Sequence, residues 1–426
     1  MHKKKKSDKN PKTPHHPVSQ PVHLNDGSKI PLGLLPSADV GGITDCTPAR
    51  FAGQQQGSLL DSALCSPSLD LCDAKLRLVG QRPGAHAHKL ESIFRSRTGT
   101  HRMFSSLEEL AELISEIGPY VSGLAVAEPI SALRLRYHLD FRVRQKSYRQ
   151  FHIPKKSGGT RTITAPDGEL KDILLSLAFI LSELYTPTAE AMAFVRRRSI
   201  VDNARQHLGR NYVLNLDLKD FFTSITANIV ENSLSRIGIP PLVAKDMATL
   251  CTYPYVVNHH IKNVLPQGAP TSPILSNICA MTLDSRLSGL ARSFHLAYTR
   301  YADDITFSSN HNVYQPDGVF MQELHRIIDE CHFTINPKKT RLQKRGTRQE
   351  VTGLTVCSKP NVSRKYIKSL RAQIHKIKHT ETPTAHEINV ARGKLNYLRM
   401  VKGATDPTYL AYLKRLNIAV KGKHFG

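Results

Sequence analysis

The chain has 426 residues, and its 59 lysines and arginines outnumber 35 aspartates and glutamates, giving a formal charge of +24. Phosphate-backbone binding is the ordinary use of such an excess, and that length leaves room for two or three domains with a large core. No apolar run is long enough to cross a membrane, no secretory signal is recognisable, and seven scattered cysteines form no disulfide framework, so membrane-spanning and disulfide-built secreted classes are excluded and a reducing cytoplasm is expected.

Residues 1–85 open with Lys3 to Lys6 and continue through Pro, His, Ser and Gly without periodicity. They read as a basic, largely disordered arm that adds electrostatic affinity. Cys65, Cys72, His86 and His88 match no standard zinc spacing. Residues 86–147 read as a helical region: Leu107, Leu110, Ala111, Ile114 and Ile117 share one helical face, and 131–146 makes a second helix. Ile173 to Leu184 is apolar but short and carries Ser176, Ser182 and Glu183, which suits a buried helix.

From Tyr212 to Leu218 the sequence alternates, with Leu214, Leu216 and Leu218 on one strand face and Val213, Asn215 and Asp217 on the other. Leu265 to Pro273 is a proline-punctuated loop. Ser272 is placed to cap a following helix, Pro273 to occupy its first position, and Ile274, Ile278 and Met281 to form its buried face, which weakens at Ser285. Tyr298 to Arg300 and Ile305 to Ser308 read as two strands, with Ala302, Asp303 and Asp304 at the turn between them. Near the end, Ile367, Leu370, Ile374 and Ile377 have helical spacing beside Lys368, Arg371, Lys376 and Lys378, and 389–401 and 408–420 add two helices.

The acids carry the chemistry. Adjacent strand residues point to opposite faces, so two carboxylates aimed at one place need a turn, and held that close they repel unless a cation lies between them. Magnesium suits a few carboxylate oxygens plus water and phosphate. Metal-dependent nucleotidyl transfer uses carboxylates from separate strands to hold two ions about 3.5–4 Å apart. Asp217, Asp303 and Asp304 meet that need, although exposed Asp-Asp turns also arise for backbone reasons alone. Phe222, five residues after Asp217, is placed either to lie under a nucleotide sugar or to fill the core.

The ordered blocks Asn215 to Phe222, Pro266 to Pro273 and Tyr301 to Asp304 resemble those of a reverse transcriptase. Asn203-Ala204-Arg205-Gln206-His207 and Val351-Thr352-Gly353 are similar to boxes of the bacterial retron branch, and the resemblance runs from about Tyr148 to the C-terminus. It implies an α+β right-hand polymerase with fingers over 148–210, an antiparallel-sheet palm over 211–357 and a helical thumb over 358–426. It also implies that Asp217, Asp303 and Asp304 bind Mg²⁺ and catalyse. Lys155 or Lys156 and Arg161, flanking the Gly158-Gly159 reversal, would grip the triphosphate. Gln267 would touch the incoming nucleotide, Phe222 would exclude the ribose 2′-hydroxyl, and Lys339 would assist the pyrophosphate. Asn203, His207, Val351, Thr352 and Gly353 become candidates for RNA recognition. Read without the resemblance, Asn203 and His207 cap and pack a helix, Val-Thr-Gly ends a strand, and Lys155, Lys156 and Lys339 lie in solvated basic turns.

By the same resemblance the enzyme takes dNTPs and copies part of a cognate structured noncoding RNA into short single-stranded DNA. Priming from an RNA 2′-hydroxyl, a role in phage defence and a separate effector protein are implied with it. The arm departs from compact retron enzymes, which start nearer the fingers. Two alternatives stay open: a group II intron or diversity-generating reverse transcriptase, and a noncatalytic RNA-binding scaffold for an effector.

Overall fold

In the computed structural model, which describes residues 104–122, 129–155, 158–257 and 260–421, the first helix is α1 (Leu107–Ser122). The arm over 1–85, the Cys65, Cys72, His86 and His88 group and Lys156 lie outside the described residues. All described residues belong to one compact unit, Asp61–Gly426. The apolar face of α1 is buried as its spacing requires, through Leu107, Leu110, Leu113, Ile114 and Ile117. The single helix anticipated over 131–146 is two, α2 (Ala132–Leu139) and α3 (Phe141–Lys146). Asp140 separates them, because its extended backbone ends one helix while its carboxylate caps the other at the Arg142 and Val143 amides.

Strands β1 (Tyr148–Pro154) and β2 (Thr160–Pro166) pair as an antiparallel hairpin, reversed through Gly158 and Gly159 at φ +88° and +77°. Helix α4 (Gly168–Leu184) is buried along most of its length. Helix α5 (Ile200–Arg205) starts at a capping box made by Ser199 and Asp202.

The central strand β3 (Tyr212–Asp217) is followed by α6 (Phe221–Ser224), α7 (Ala227–Arg236), α8 (Pro241–Cys251) and the hairpin of β4 (Tyr253–Val257) and β5 (His260–Val264). Then come α9 (Ser272–Cys279), α10 (Met281–Ser293), β6 (Ala297–Tyr301), β7 (Asp304–Ser309), α11 (Val319–Glu330) and β8 (Arg341–Lys344). The four long-range strands form one antiparallel sheet in the order β6-β7-β3-β8. A small sheet of β9 (Glu350–Val351), β10 (Leu354–Val356) and β11 (Pro360–Asn361) leads into three helices, α12 (Arg364–His379), α13 (Ala385–Lys402) and α14 (Pro407–Val420).

The alternation of β3 divides it between two cores. Leu214, Leu216 and Leu218 enter the larger core with α1, α4 and α8 to α11. Val213, on the opposite face, enters a second core with Val351, Leu354, Leu370, Ile374, Leu395 and Leu416. A strand covered on both faces holds its register firmly, because a slip of one residue would exchange the two sets.

The helix after the proline loop starts differently from its sequence reading. Thr271 occupies the cap, and Ser272 instead donates from Oγ to the Pro266 carbonyl at 2.7 Å, closing the loop on itself. Ile274 and Met281 are only half-buried. A break at Ala280 rephases the helix, so the buried face runs through Leu275, Ile278, Leu283 and Leu287.

Asn203 and His207 are buried, at 1% and 0% exposure, and so is Val351 at 0%. These side chains, candidates for RNA recognition by the resemblance, present almost no surface of their own. They form an internal brace. Thr299 donates to Asn203 Oδ1 at 2.5 Å, so its oxygen accepts from His207 Nε2 at 2.7 Å, and His207 Nδ1 accepts from the Ser308 hydroxyl at 2.7 Å. Asn203 Nδ2 continues to Thr352 Oγ1 at 3.5 Å. Thr352 is half-buried and held at φ +46°, while Gly353 is exposed.

Burial, with Arg210 adding to it, holds the His207 imidazole down from its usual 6.5 to about 3. The unfolded chain takes this proton below 6.5 and the native chain does not until about 3, so stability is full above 6.5 and falls as pH drops through that window. Between pH 7.5 and 5 the wild type should lose roughly 2 kcal/mol to this group. His207→Gln, starting from a lower stability, should lose correspondingly less on urea unfolding at the two pH values; parallel losses would contradict a neutral buried His207.

Candidate active site

Asp217 ends β3 and faces Asp304, the first residue of β7, directly across the antiparallel pair. Directly opposed residues share a sheet face, so these two carboxylates project to the same side. Asp303 lies in the two-residue turn between β6 and β7, and its carbonyl accepts the Leu218 amide at 3.0 Å. The three carboxylates thus gather at one end of the sheet, two fixed by strand register and one by the turn.

The turn has an unusual backbone and a buried support. Ala302 sits at φ +57°, a region that costs a residue with a Cβ roughly 1–2 kcal/mol. Its carbonyl accepts from Arg300 Nη1 at 3.2 Å. Arg300 is wholly buried and pairs with the equally buried Asp284 through Nε and Nη2, both at 2.7 Å, and Nη2 also reaches Asn277 Oδ1 at 3.2 Å. Tyr298 and Thr188 donate their hydroxyls to Asp284 at 2.8 and 3.1 Å. This network was missed on the sequence. Arg300 is a strand residue like its neighbours, and its partner lies 16 residues away on a different element.

Charge is concentrated at the acidic end. Withdrawal from water, followed by repulsion from Asp303 and then Asp217, pushes the Asp304 carboxyl up to about 6. Asp303 is raised as well, chiefly by the same withdrawal, with Asp217 adding to it and Lys339 and Arg161 opposing it. Asp304 as a residue still meets solvent, so it is the repulsion that a bound cation relieves. Lys339 Nζ lies 2.7 Å from Asp217 Oδ1, and Asn336, which sequence reasoning missed, donates to Asp217 Oδ2 at 3.1 Å. The Asn336 amide also donates to the Asp217 carbonyl at 2.8 Å, which brings the Lys339 loop to the site.

Among the described residues no group of three His, Cys, Asp or Glu side chains is drawn tightly enough to hold a metal ion as it stands. The donor set nevertheless fits a hard divalent cation: three carboxylates, all-oxygen, with mutual repulsion that Lys339, paired with Asp217, offsets in part.

The remaining expected nucleotide contacts lie on the β1–β2 hairpin, the proline loop and α6. Arg161, exposed on β2, is near enough for its charge to act on Asp303. Lys155 is exposed at the hairpin tip, where its amide donates to the Gly159 carbonyl at 2.9 Å. Gln267 is half-buried, and its carbonyl accepts the Thr164 amide of β2 at 2.7 Å, joining the hairpin to the proline loop. Gly268, at φ +131°, is required there: a Cβ would stand 2.9 Å from the Thr164 carbonyl and 2.8 Å from Ile163 Cγ2. Phe222 is half-buried beside Phe221, with ring centroids 5.5 Å apart.

Substituting Asp303 and Asp304 together by Asn should abolish DNA synthesis while leaving RNA binding. In metal-free protein the single Asp304→Asn change should raise the melting temperature by a few degrees, because it removes one of three repelling charges. A double variant that still synthesises DNA, or an Asp304→Asn melting temperature below wild type, would count against this site.

The reverse transcriptase (RNA-dependent DNA polymerase) family model matches residues 153–374. The retron Mx65 reverse transcriptase of Myxococcus xanthus is 36% identical over 294 residues, covering 65% of this chain and 67% of the relative. The retron Ec86 reverse transcriptase of Escherichia coli is 34% identical over 294 residues, covering 67% of this chain and 85% of the relative. A telomerase structure from Candida albicans covers 63% of this chain and 56% of its own at 12% identity and TM-score 0.37, a likeness too remote to bear on function. With an RNA-directed DNA polymerase motif order, a right-hand architecture and relatives of this identity and coverage, the chain belongs to the reverse transcriptases, and among them to the retron type.

Proposed function

We propose that the enzyme copies part of a structured noncoding RNA into short single-stranded DNA, beginning from a 2′-hydroxyl within that same RNA. The observation that carries the polymerase site is the convergence of Asp217, Asp303 and Asp304 at one end of the sheet, facing the hairpin that bears Arg161. Asp217, Asp303 and Asp304 hold magnesium, which when bound lowers the pKa of the attacking hydroxyl and stabilises the leaving pyrophosphate.

The chain's own residues do the rest. Lys155 or Lys156 and Arg161 grip triphosphate oxygens as the hairpin closes, with Arg161 suited to a two-pronged contact. Gln267 orients the nucleotide from a loop that moves with the hairpin, because the two share the Thr164 bond. Phe222 closes the space a ribose 2′-hydroxyl would need. Lys339, paired with Asp217, turns to the pyrophosphate during transfer.

We assign 148–210 to the fingers, 211–357 to the palm and 358–426 to the thumb. The basic face of α12, with Lys365, Lys368 and Arg371, tracks the RNA backbone, while Leu370, Ile374 and Ile377 hold the helix in the second core. The exposed Gly353, and Thr352 on the brace from Asn203, are the parts of the two retron boxes left near the surface for RNA. Action in phage defence with a separate effector protein completes the proposal. Among the described residues no helix is long and apolar enough to cross a membrane.

Expressing the gene with its flanking DNA and extracting nucleic acid tests the priming step. Short DNA whose 5′ end stays joined to RNA until a debranching enzyme is added is the expected product; linear DNA alone would reject 2′-priming.

A further inference from the structure

Phe194 is the least comfortable large apolar residue near the site. Its side chain is 47% exposed, and its backbone sits at φ +58°, a region uncommon for bulky residues. Exposure of a phenylalanine forgoes its burial, and the left-handed backbone adds a cost of its own, so neither packing nor local preference accounts for this residue at this position.

The surrounding loop is nevertheless fixed on both sides. Ala191 bridges to Arg300, with the Met192 amide donating to the Arg300 carbonyl and the Arg300 amide to the Glu190 carbonyl, both at 2.8 Å. The Ala193 carbonyl accepts from Asn277 Nδ2 at 2.9 Å. On the far side Arg198 donates to the carbonyls of Thr188 and Ala191. The same buried Arg300 and Asn277 that support the catalytic turn thereby also set where Phe194 stands.

What Phe194 meets is Phe222. Their ring centroids are 6.4 Å apart and the rings are tilted by 48°, within the range of attractive aromatic pairs. Phe222 also meets Phe221 edge-on at 5.5 Å, and Phe221 is stacked on Phe333 at 5.4 Å with the Arg300 guanidinium 6.0 Å from its centroid. Phe222 therefore has one buried aromatic neighbour and one exposed one.

We propose that Phe194 is a positioning residue for ribose discrimination: it holds the Phe222 ring in the orientation that excludes a 2′-hydroxyl. This inference rests on Phe222 acting as the sugar filter. A ring free to rotate away would admit ribonucleotides, and Phe194 is the exposed partner that meets it. The backbone strain at Phe194 is the cost of placing an aromatic ring there from a short, pinned loop.

The test is single-nucleotide incorporation on an RNA template, comparing kcat/KM for a dNTP and the rNTP of the same base. Four variants are needed: Phe222→Ala, Phe194→Gly, Phe194→Asn and Phe194→Tyr. Glycine and asparagine both accept a positive φ, so these changes relieve the backbone while removing the ring, and thermal melting confirms that each variant is folded. Removing one aromatic contact should lower the dNTP-over-rNTP ratio about three- to tenfold in Phe194→Gly and Phe194→Asn. Phe194→Tyr, which keeps the ring, should retain the wild-type ratio. A ratio that shifts in Phe222→Ala but stays unchanged in both ring-removing Phe194 variants would overturn the proposal, as would equal losses for both nucleotides in those variants. No shift in Phe222→Ala would instead remove the sugar filter itself, and the proposal with it.

Discussion

A single buried ion pair, Arg300 with Asp284, organises the catalytic end of this enzyme. Both side chains are fully removed from solvent, which is unfavourable for two charges unless each is compensated in full. Here the compensation is extensive: Asp284 accepts from Arg300, Tyr298 and Thr188, and Arg300 donates further to Asn277 and the Ala302 carbonyl. Losing one partner alone would cost about 3–5 kcal/mol, because the other charge would remain buried and unpaired. That dependence ties together α9, α10, β6 and the segment 188–193, and the turn bearing Asp303 is built upon them.

On this base the electrostatics become simple. A chain with a large cationic excess places three carboxylates together at the end of its central sheet, where burial and then repulsion raise the proton affinity of Asp303 and Asp304. Lys339, paired with Asp217, offsets part of this, and the surplus negative charge is what a divalent cation would meet. Unless a cation neutralises it, the arrangement costs the fold stability. The group II intron, diversity-generating and noncatalytic readings left open by the sequence give way to membership of the retron reverse transcriptases.

Much of the architecture was legible because it follows from local periodicity. The β3 alternation, the acidic turn, the reversal at Gly158 and Gly159 and the three C-terminal helices each depend on residues close in sequence. What the pattern could not supply were features decided by distant partners. His207 meets Ser308 from 101 residues away and Asn203 meets Thr299 from 96, so the internal brace they build could not be read from their box alone. The helix phase after Ala280 and the break at Asp140 turn on capping and burial that hydrophobic spacing does not record. Of the acidic site the three aspartates were visible as a motif, whereas Arg300, Asp284 and Asn336 were not, since single polar residues on strands, helices and loops carry no periodic signal.

The most direct measurement is anomalous diffraction from crystals of the enzyme soaked in manganese, which replaces magnesium at oxygen sites and can be located by its own scattering. The account predicts a peak ligated by Asp217, Asp303 and Asp304, with Lys339 withdrawn from Asp217. Manganese bound elsewhere, or none at the three carboxylates while the Lys339–Asp217 pair stays intact, would contradict it.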